Sequence, residues 1–240
     1  VTSAASPPPP AMSGRKERWK PHNESRRERL MLAAIELLEE TPAGVEVPVV
    51  QIAERAGLAK SVMYRQFAGR EELDRLARRD IAERFTNEIE DALDISVGSI
   101  NEILYRTVEA VVAWVQGHPR LHEFLKTGPS EENSDTDALS SLITSISSSV
   151  TSLVTGLAGV VGVADDDAAD TMTFAIVSMT EATVTRWATD PSPALPRERL
   201  ISEVASYAWH VVDGVARQHD LVLDPDLPLT TIISQLAARA

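Results

Sequence analysis

Cysteine is absent from the 240-residue chain. That excludes disulfides, thiolate metal sites and a cysteine nucleophile, and it suits a reducing cytoplasm, the expected location. Aromatic residues make up only 5% of the chain, and positive charge is in deficit. Lys and Arg number 23 against 36 Asp and Glu, a formal charge of −13. A uniformly acidic surface repels a phosphate backbone, which excludes a nonspecific nucleic-acid coat protein. Alternation at period two is missing as well, so no sheet is expected. The opening run VTSAASPPPPAMSGRKERWK has no basic stretch ahead of an apolar one, so no signal peptide is expected there. Its four prolines amid small residues predict a disordered tail.

What is present is helical periodicity. With 43% hydrophobic and 25% charged residues, the chain has the make-up of a soluble globular protein able to bury a core. Ser25 with Glu28 forms a capping box that opens a helix to about Glu40, with Leu30, Ala34, Leu37 and Leu38 on one face. A short helix from Pro48 ends at Gly57, and another runs from about Lys60 to Phe67. A long one from Arg70 to about Leu93 carries Glu71–Arg75 and Asp74–Arg78, acid-before-base pairs four apart. Further helices are predicted at 99–117, 119–127, 138–160, 167–189, 197–219 and 229–238, and a polar, mobile turn at 127–137. The fold class is all-α.

One segment is long enough to span a bilayer, since 138–164 holds no charged side chain. Ser and Thr fill ten of its positions, however, and Leu139, Leu142, Ile146, Val150 and Leu153 keep to one stripe. A membrane helix would be apolar all round, so this one reads as amphipathic and no membrane partner is expected.

The stretch VVQIAERAGLAKSVMYRQF (49–67) has the spacing of a helix-turn-helix. Ile52, Ala53, Ala56, Leu58 and Met63 can fill the small core between two short helices. Ala53 is small where the second helix crosses, and Gly57 can take the left-handed turn. The second helix then offers Lys60, Ser61, Tyr64, Arg65 and Gln66 outward, donors suited to base edges and phosphates. Ahead of the first helix lie Arg15, Lys16, Arg18, Lys20, Arg26 and Arg27. Such an arm can enter a minor groove, lie along phosphates, or be a solvated tail.

From Arg29 to Arg84 the chain resembles the TetR family of transcriptional regulators. The resemblance rests on AAIELL (33–38), IAERAGLAK (52–60) and YRQFAGREEL (64–73), about a quarter of the chain. It implies that Tyr64 grips DNA and that Arg70 contacts phosphate. Two departures stand out. Val47 and Pro48 occupy positions where the family usually places hydroxyl residues, and Ala59–Val62 replaces its usual Ser-x-Gly-Thr. The implied organisation is an arm at 1–22, basic at its end, a DNA-binding domain at 23–70 and an effector-binding and dimerisation domain at 71–240. Helix 4 (70–94) connects the last two.

The helices at 167–189 and 197–219 are apolar on two faces, which calls for a second cover, most economically the same pair from a twin chain. The resemblance implies the same homodimer, a palindromic double-stranded operator, and a small-molecule effector held inside the domain. The pocket candidates are Phe85, Ile89, Leu104, Val108, Val111, Trp114, Phe124, Ile143, Ile146, Phe174, Val177 and Glu181. For each of them ordinary core is the alternative; Glu181, a lone carboxylate on a largely apolar helix, could orient a polar or cationic group, face solvent, or face a neighbouring Arg such as Arg186. His118 and His122 are four apart but separated by Pro119 and lack a third ligand nearby, so no metal is expected. No cofactor motif and no catalytic constellation is found, and an enzyme is not expected. Finally, residues 13–70 hold eleven Lys and Arg against eight Asp and Glu, so the chain's acidity lies outside the helix-turn-helix region.

Overall fold

The computed structural model describes residues 14–42, 44–128 and 137–238, with side chains from residue 24 onward. Among these residues there are ten helices and no strand. The tail at 1–13 and most of the polar turn at 127–137 lie outside the described residues.

Helix α1 (Gly14–Glu40) begins eleven residues before the capping box expected at Ser25. The expected disordered arm to residue 22 is therefore corrected over 14–22. Arg, Lys and Glu are good helix formers, so the Ser-x-x-Glu pattern at 25–28 lies within a helix that starts earlier. The later boundaries fall within a residue or two of expectation: α2 (Val49–Arg55), α3 (Lys60–Gln66), α4 (Arg70–Ala92), α5 (Ile100–Gly117), α6 (Pro119–Lys126), α7 (Ala138–Val160), α8 (Asp166–Thr189), α9 (Arg197–Gln218) and α10 (Leu229–Ala237).

The chain divides into two compact units, one up to Ala77 and one from Arg78. The break falls inside α4, past the boundary expected at residue 70, because Leu73 and Leu76 belong to the first unit's core. That core gathers Leu30, Ala33, Ala34 and Leu37 from α1, Ile52 from α2, Met63 from α3, and also Val47, Ala56 and Phe67. Val47 thus replaces a hydroxyl residue with a core side chain, only 1% exposed. The turn between α2 and α3 closes through Leu58 N–H to the Ala53 carbonyl at 2.9 Å, with Gly57 at φ +64°. Neither α2 nor α3 has a side-chain cap; Pro48 and Ala59 stand at those positions.

In the second unit, α7 packs on α8, and α5 lies against both α8 and α9. Ser99 and Glu102 form a reciprocal capping box at the start of α5. A bridge between Ser99 and Pro228, with Leu229 N–H bonded to the Gly98 carbonyl at 3.0 Å, places the start of α10 beside it. α7 is long and apolar enough to cross a membrane. Its apolar stripe, however, faces the interior of this unit, while Thr144, Ser148 and Ser152 on its back bond carbonyls four residues earlier.

Candidate functional site

In the first unit, α3 buries Met63 completely and turns Lys60, Ser61, Tyr64 and Arg65 outward. Tyr64 is 56% exposed, an unusual position for a large aromatic without a partner, and the Lys60 ammonium lies 6.0 Å from its ring centroid. No acidic side chain occurs on this helix. The result is a basic, donor-rich surface with one aromatic, held on a rigid element.

The other basic candidates have different surroundings. Arg27 donates to the Gln66 carbonyl at 2.7 Å and to Glu72 at 2.7 Å, and its guanidinium sits 4.6 Å over the Phe67 ring. It clamps α1 to the end of α3 and the start of α4. The Glu72 carboxyl is held below its ordinary range by the Ala68 N–H and then by Arg27. Arg70 donates to Asp74 at 2.7 Å and to the Val47 carbonyl. Arg29 donates to the Ala56 carbonyl, beside the Gly57 turn. Arg26 and Gln66 are half-buried. Sequence spacing shows that these arginines are near the motif. Only the fold shows that Arg27 and Arg70 are spent holding it together.

The second unit contains a cavity of roughly 340 Å³. Nine of the twelve expected pocket residues line it: Phe85, Ile89, Leu104, Val108, Val111, Ile143, Ile146, Val177 and Glu181. Three expectations are corrected. Trp114 is buried one layer back, stacked on Phe85 with ring centroids 4.3 Å apart. Phe124 is covered by the Arg78 guanidinium at 4.1 Å. Phe174 does not line the cavity and is 49% exposed.

Glu181 does not face Arg186. Its Oε1 accepts the Thr185 hydroxyl at 2.8 Å and lies 3.5 Å from His122 Nε2, which is 3.2 Å from the same hydroxyl. These contacts, His122 foremost, hold the Glu181 carboxyl below its ordinary range although burial opposes them. His122, weighed in the sequence only as half of a metal pair, is thus a cavity residue. His118 stands ahead of α6, as Pro119 predicted, its ring against Trp114. The cavity also takes Leu229, Ile232, Ile233 and Leu236 from α10. Their helical spacing was visible in the sequence; that α10 returns to this cavity was not.

On α8 and α9 the two expected apolar faces are partly realised. Leu200, Ile201, Val204 and Ala208 are buried, and Ile176 and Val177 face the cavity. Phe174, Ala175 and Ala182 on α8, and Tyr207 on α9, are exposed.

These features define a class: an all-helical chain with a helix-turn-helix head and a hollow helical second unit. Its fold is that of TetR-family transcriptional regulators. No model of a known protein family matches the sequence, and no curated protein sequence matches it. Solved structures do match, at low identity. A TetR-family regulator from Streptomyces coelicolor superposes with a TM-score of 0.63 at 18% identity, over 90% of this chain and 89% of that one. RolR in complex with the ligand resorcinol gives 0.53 at 16%, over 92% and 97%. The fatty acid degradation regulator FadR from Bacillus halodurans gives 0.53 at 16%, over 76% and 94%.

Proposed function

We propose that the protein is a ligand-responsive transcriptional repressor that binds a near-palindromic operator as a homodimer. The observation that carries this reading is α3, with Lys60, Ser61, Tyr64 and Arg65 exposed on a helix anchored from behind by the fully buried Met63. Lys60, Ser61, Tyr64 and Arg65 read or position DNA, with Arg26 and Gln66 at the margin. Arg27 and Arg70 act chiefly by fixing the reading helix. Dimerisation uses the outer faces of α8 and α9, where Phe174 and Tyr207 are too apolar to be left to water without reason. The effector occupies the cavity, and the site of action is the cytoplasm. Helix α4 carries the signal, since it gives Leu73 and Leu76 to the head's core and Phe85 and Ile89 to the cavity wall. An effector that prefers a wider separation of the heads draws the population away from the DNA-competent form, and operator and effector then weaken each other reciprocally.

Selection from a random double-stranded DNA pool tests the reading. Enrichment of a palindrome supports it. A flat result at low salt overturns it in favour of a small-molecule-binding protein with a vestigial helix-turn-helix. Tyr64→Ala and Arg65→Ala are expected to abolish retention of the enriched sequence while the dimer persists in sedimentation.

A further inference from the structure

The cavity's walls and its charge together describe the molecule it takes, on the reading of this cavity as the effector site. Along α8 its lining runs from Asp165 to Glu181, a path of about 24 Å at helical rise. Leu104 and Val108 on α5 and Leu142 and Ile146 on α7 make the sides apolar. An occupant that buries this surface is elongated and largely hydrocarbon.

Polar groups gather at the two ends. At one end Asp165 is already engaged, lying 3.3 Å from His219 Nε2 and accepting the Ala168 N–H at 3.0 Å. The Thr107 and Thr173 hydroxyls along the sides bond backbone carbonyls. Glu181, at the other end, is different. Both of its hydrogen-bonding contacts fall on Oε1, and among the described residues Oε2 receives none. Among the same residues no Lys or Arg forms an ion pair with it; its neighbour is a histidine. The Lys126 ammonium acts on Glu181 from a distance without forming an ion pair, so a carboxylate in largely apolar surroundings with one oxygen free still lacks a contacting positive charge and a donor.

We propose that the cavity binds an elongated apolar amine, with its ammonium donating to Glu181 Oε2 and its chain lying along α8 between α5 and α7. The ammonium supplies the missing charge and donor in one group. Phe85, which lines the cavity, stacks on Trp114 at 4.3 Å, and Trp114 lies 6.0 Å from the His122 ring, so an aromatic cluster adjoins the histidine beside Glu181. A fatty acid of the same length puts a second negative charge beside Glu181 and is rejected.

The test is calorimetric titration of the full-length protein with dodecylammonium, dodecanol and dodecanoate, each below its micelle concentration. The expected order is ammonium tightest and carboxylate weakest, with one ligand per chain. Glu181→Gln should weaken the ammonium about tenfold or more. It should leave dodecanol within about twofold, which also shows that the variant's cavity is intact. Wild-type protein that binds dodecanoate or dodecanol as tightly as dodecylammonium overturns the proposal, even if the variant fails to fold. So does an ammonium affinity unmoved by Glu181→Gln, or one lost through Asp165→Asn instead. No DNA is present, so failure here leaves the regulator reading standing. A protein that binds the amine but enriches no DNA sequence loses the regulator reading alone.

Discussion

Arg27 and Arg65 are both basic residues of the helix-turn-helix unit, and they should fail in opposite ways. The Arg27 guanidinium makes two charge-assisted hydrogen bonds and covers Phe67, but its side chain is 40% exposed and that of Glu72 is 26% exposed. Solvent screening cuts an exposed ion pair to below about 1 kcal/mol, and the carbonyl bond and ring contact add a similar amount. Arg27→Ala should therefore destabilise the head by about 1–2 kcal/mol. In a domain of this size each kcal/mol lowers the melting temperature by roughly 4–8 °C. Differential scanning calorimetry and native-state hydrogen exchange of α1–α3 amides would report it. Among the described residues Arg65 forms no hydrogen bond or ion pair and is exposed, so Arg65→Ala should leave stability within about 0.5 kcal/mol. The order reverses on DNA. Arg65→Ala should abolish retention of the selected sequence and reduce the salt slope of the residual nonspecific binding by about one counterion, whereas Arg27→Ala should weaken binding with the slope unchanged. If Arg27→Ala leaves melting unaltered and flattens the salt slope, Arg27 is a phosphate contact and the clamp assignment is wrong. The clamp also has a pH signature. The carboxyl of Glu72 is depressed below 4.5 in the folded head, so its contribution is complete above that value and fades as pH falls through the folded pKa. The stability gap between wild type and Arg27→Ala should narrow over the same acid range.

Gly57→Ala should cost about 1–2 kcal/mol, because φ is +64° and the new Cβ would lie 3.0 Å from Arg29 Nη2; thermal melting measures it. Met63→Ala should cost roughly 2–5 kcal/mol, as expected for truncating a fully buried methionine, and hydrogen exchange should show the loss in the first unit with the second unit's amides unchanged. Thr185→Val removes one hydrogen bond to Glu181, so that carboxyl's pKa should rise towards its ordinary value; His122→Asn should raise it further, since His122 is the larger cause. Carboxyl-carbon NMR titration reads both shifts. Glu181 stabilises the fold above its ordinary pKa and loses that effect as pH falls through the folded value, and both variants should shrink this dependence.

Local chemistry made much of this molecule legible in the sequence. Helix limits are set by side chains a few residues apart, so Pro119 at the start of α6 and the α2–Gly57–α3 turn were readable from spacing alone. The outward row Lys60, Ser61, Tyr64 and Arg65 followed because a short helix with Met63 inside leaves those positions outside. A helical start signal can also occur inside a helix, and for that reason the capping box at Ser25 placed the first boundary too late.

Long-range pairing decided the rest. Whether an arginine is free or committed depends on carbonyls and carboxylates far along the chain. Arg27 meets Gln66 and Glu72, and Arg70 meets Val47, neither of which any periodicity encodes. The apolar stripe of a helix says that something covers it but not what, so Val177 on α8 reaches the cavity while Phe174, one turn earlier, is left exposed. His122 and Glu181 are fifty-nine positions apart, and only the fold, which brings the His122 side chain from α6 to α8, turns a lone carboxylate into a polar terminus for an apolar cavity. The sequence determined most helix limits and the outward face of α3 because their causes are local; the tertiary structure decided the cavity and the clamp because their causes are contacts between distant segments.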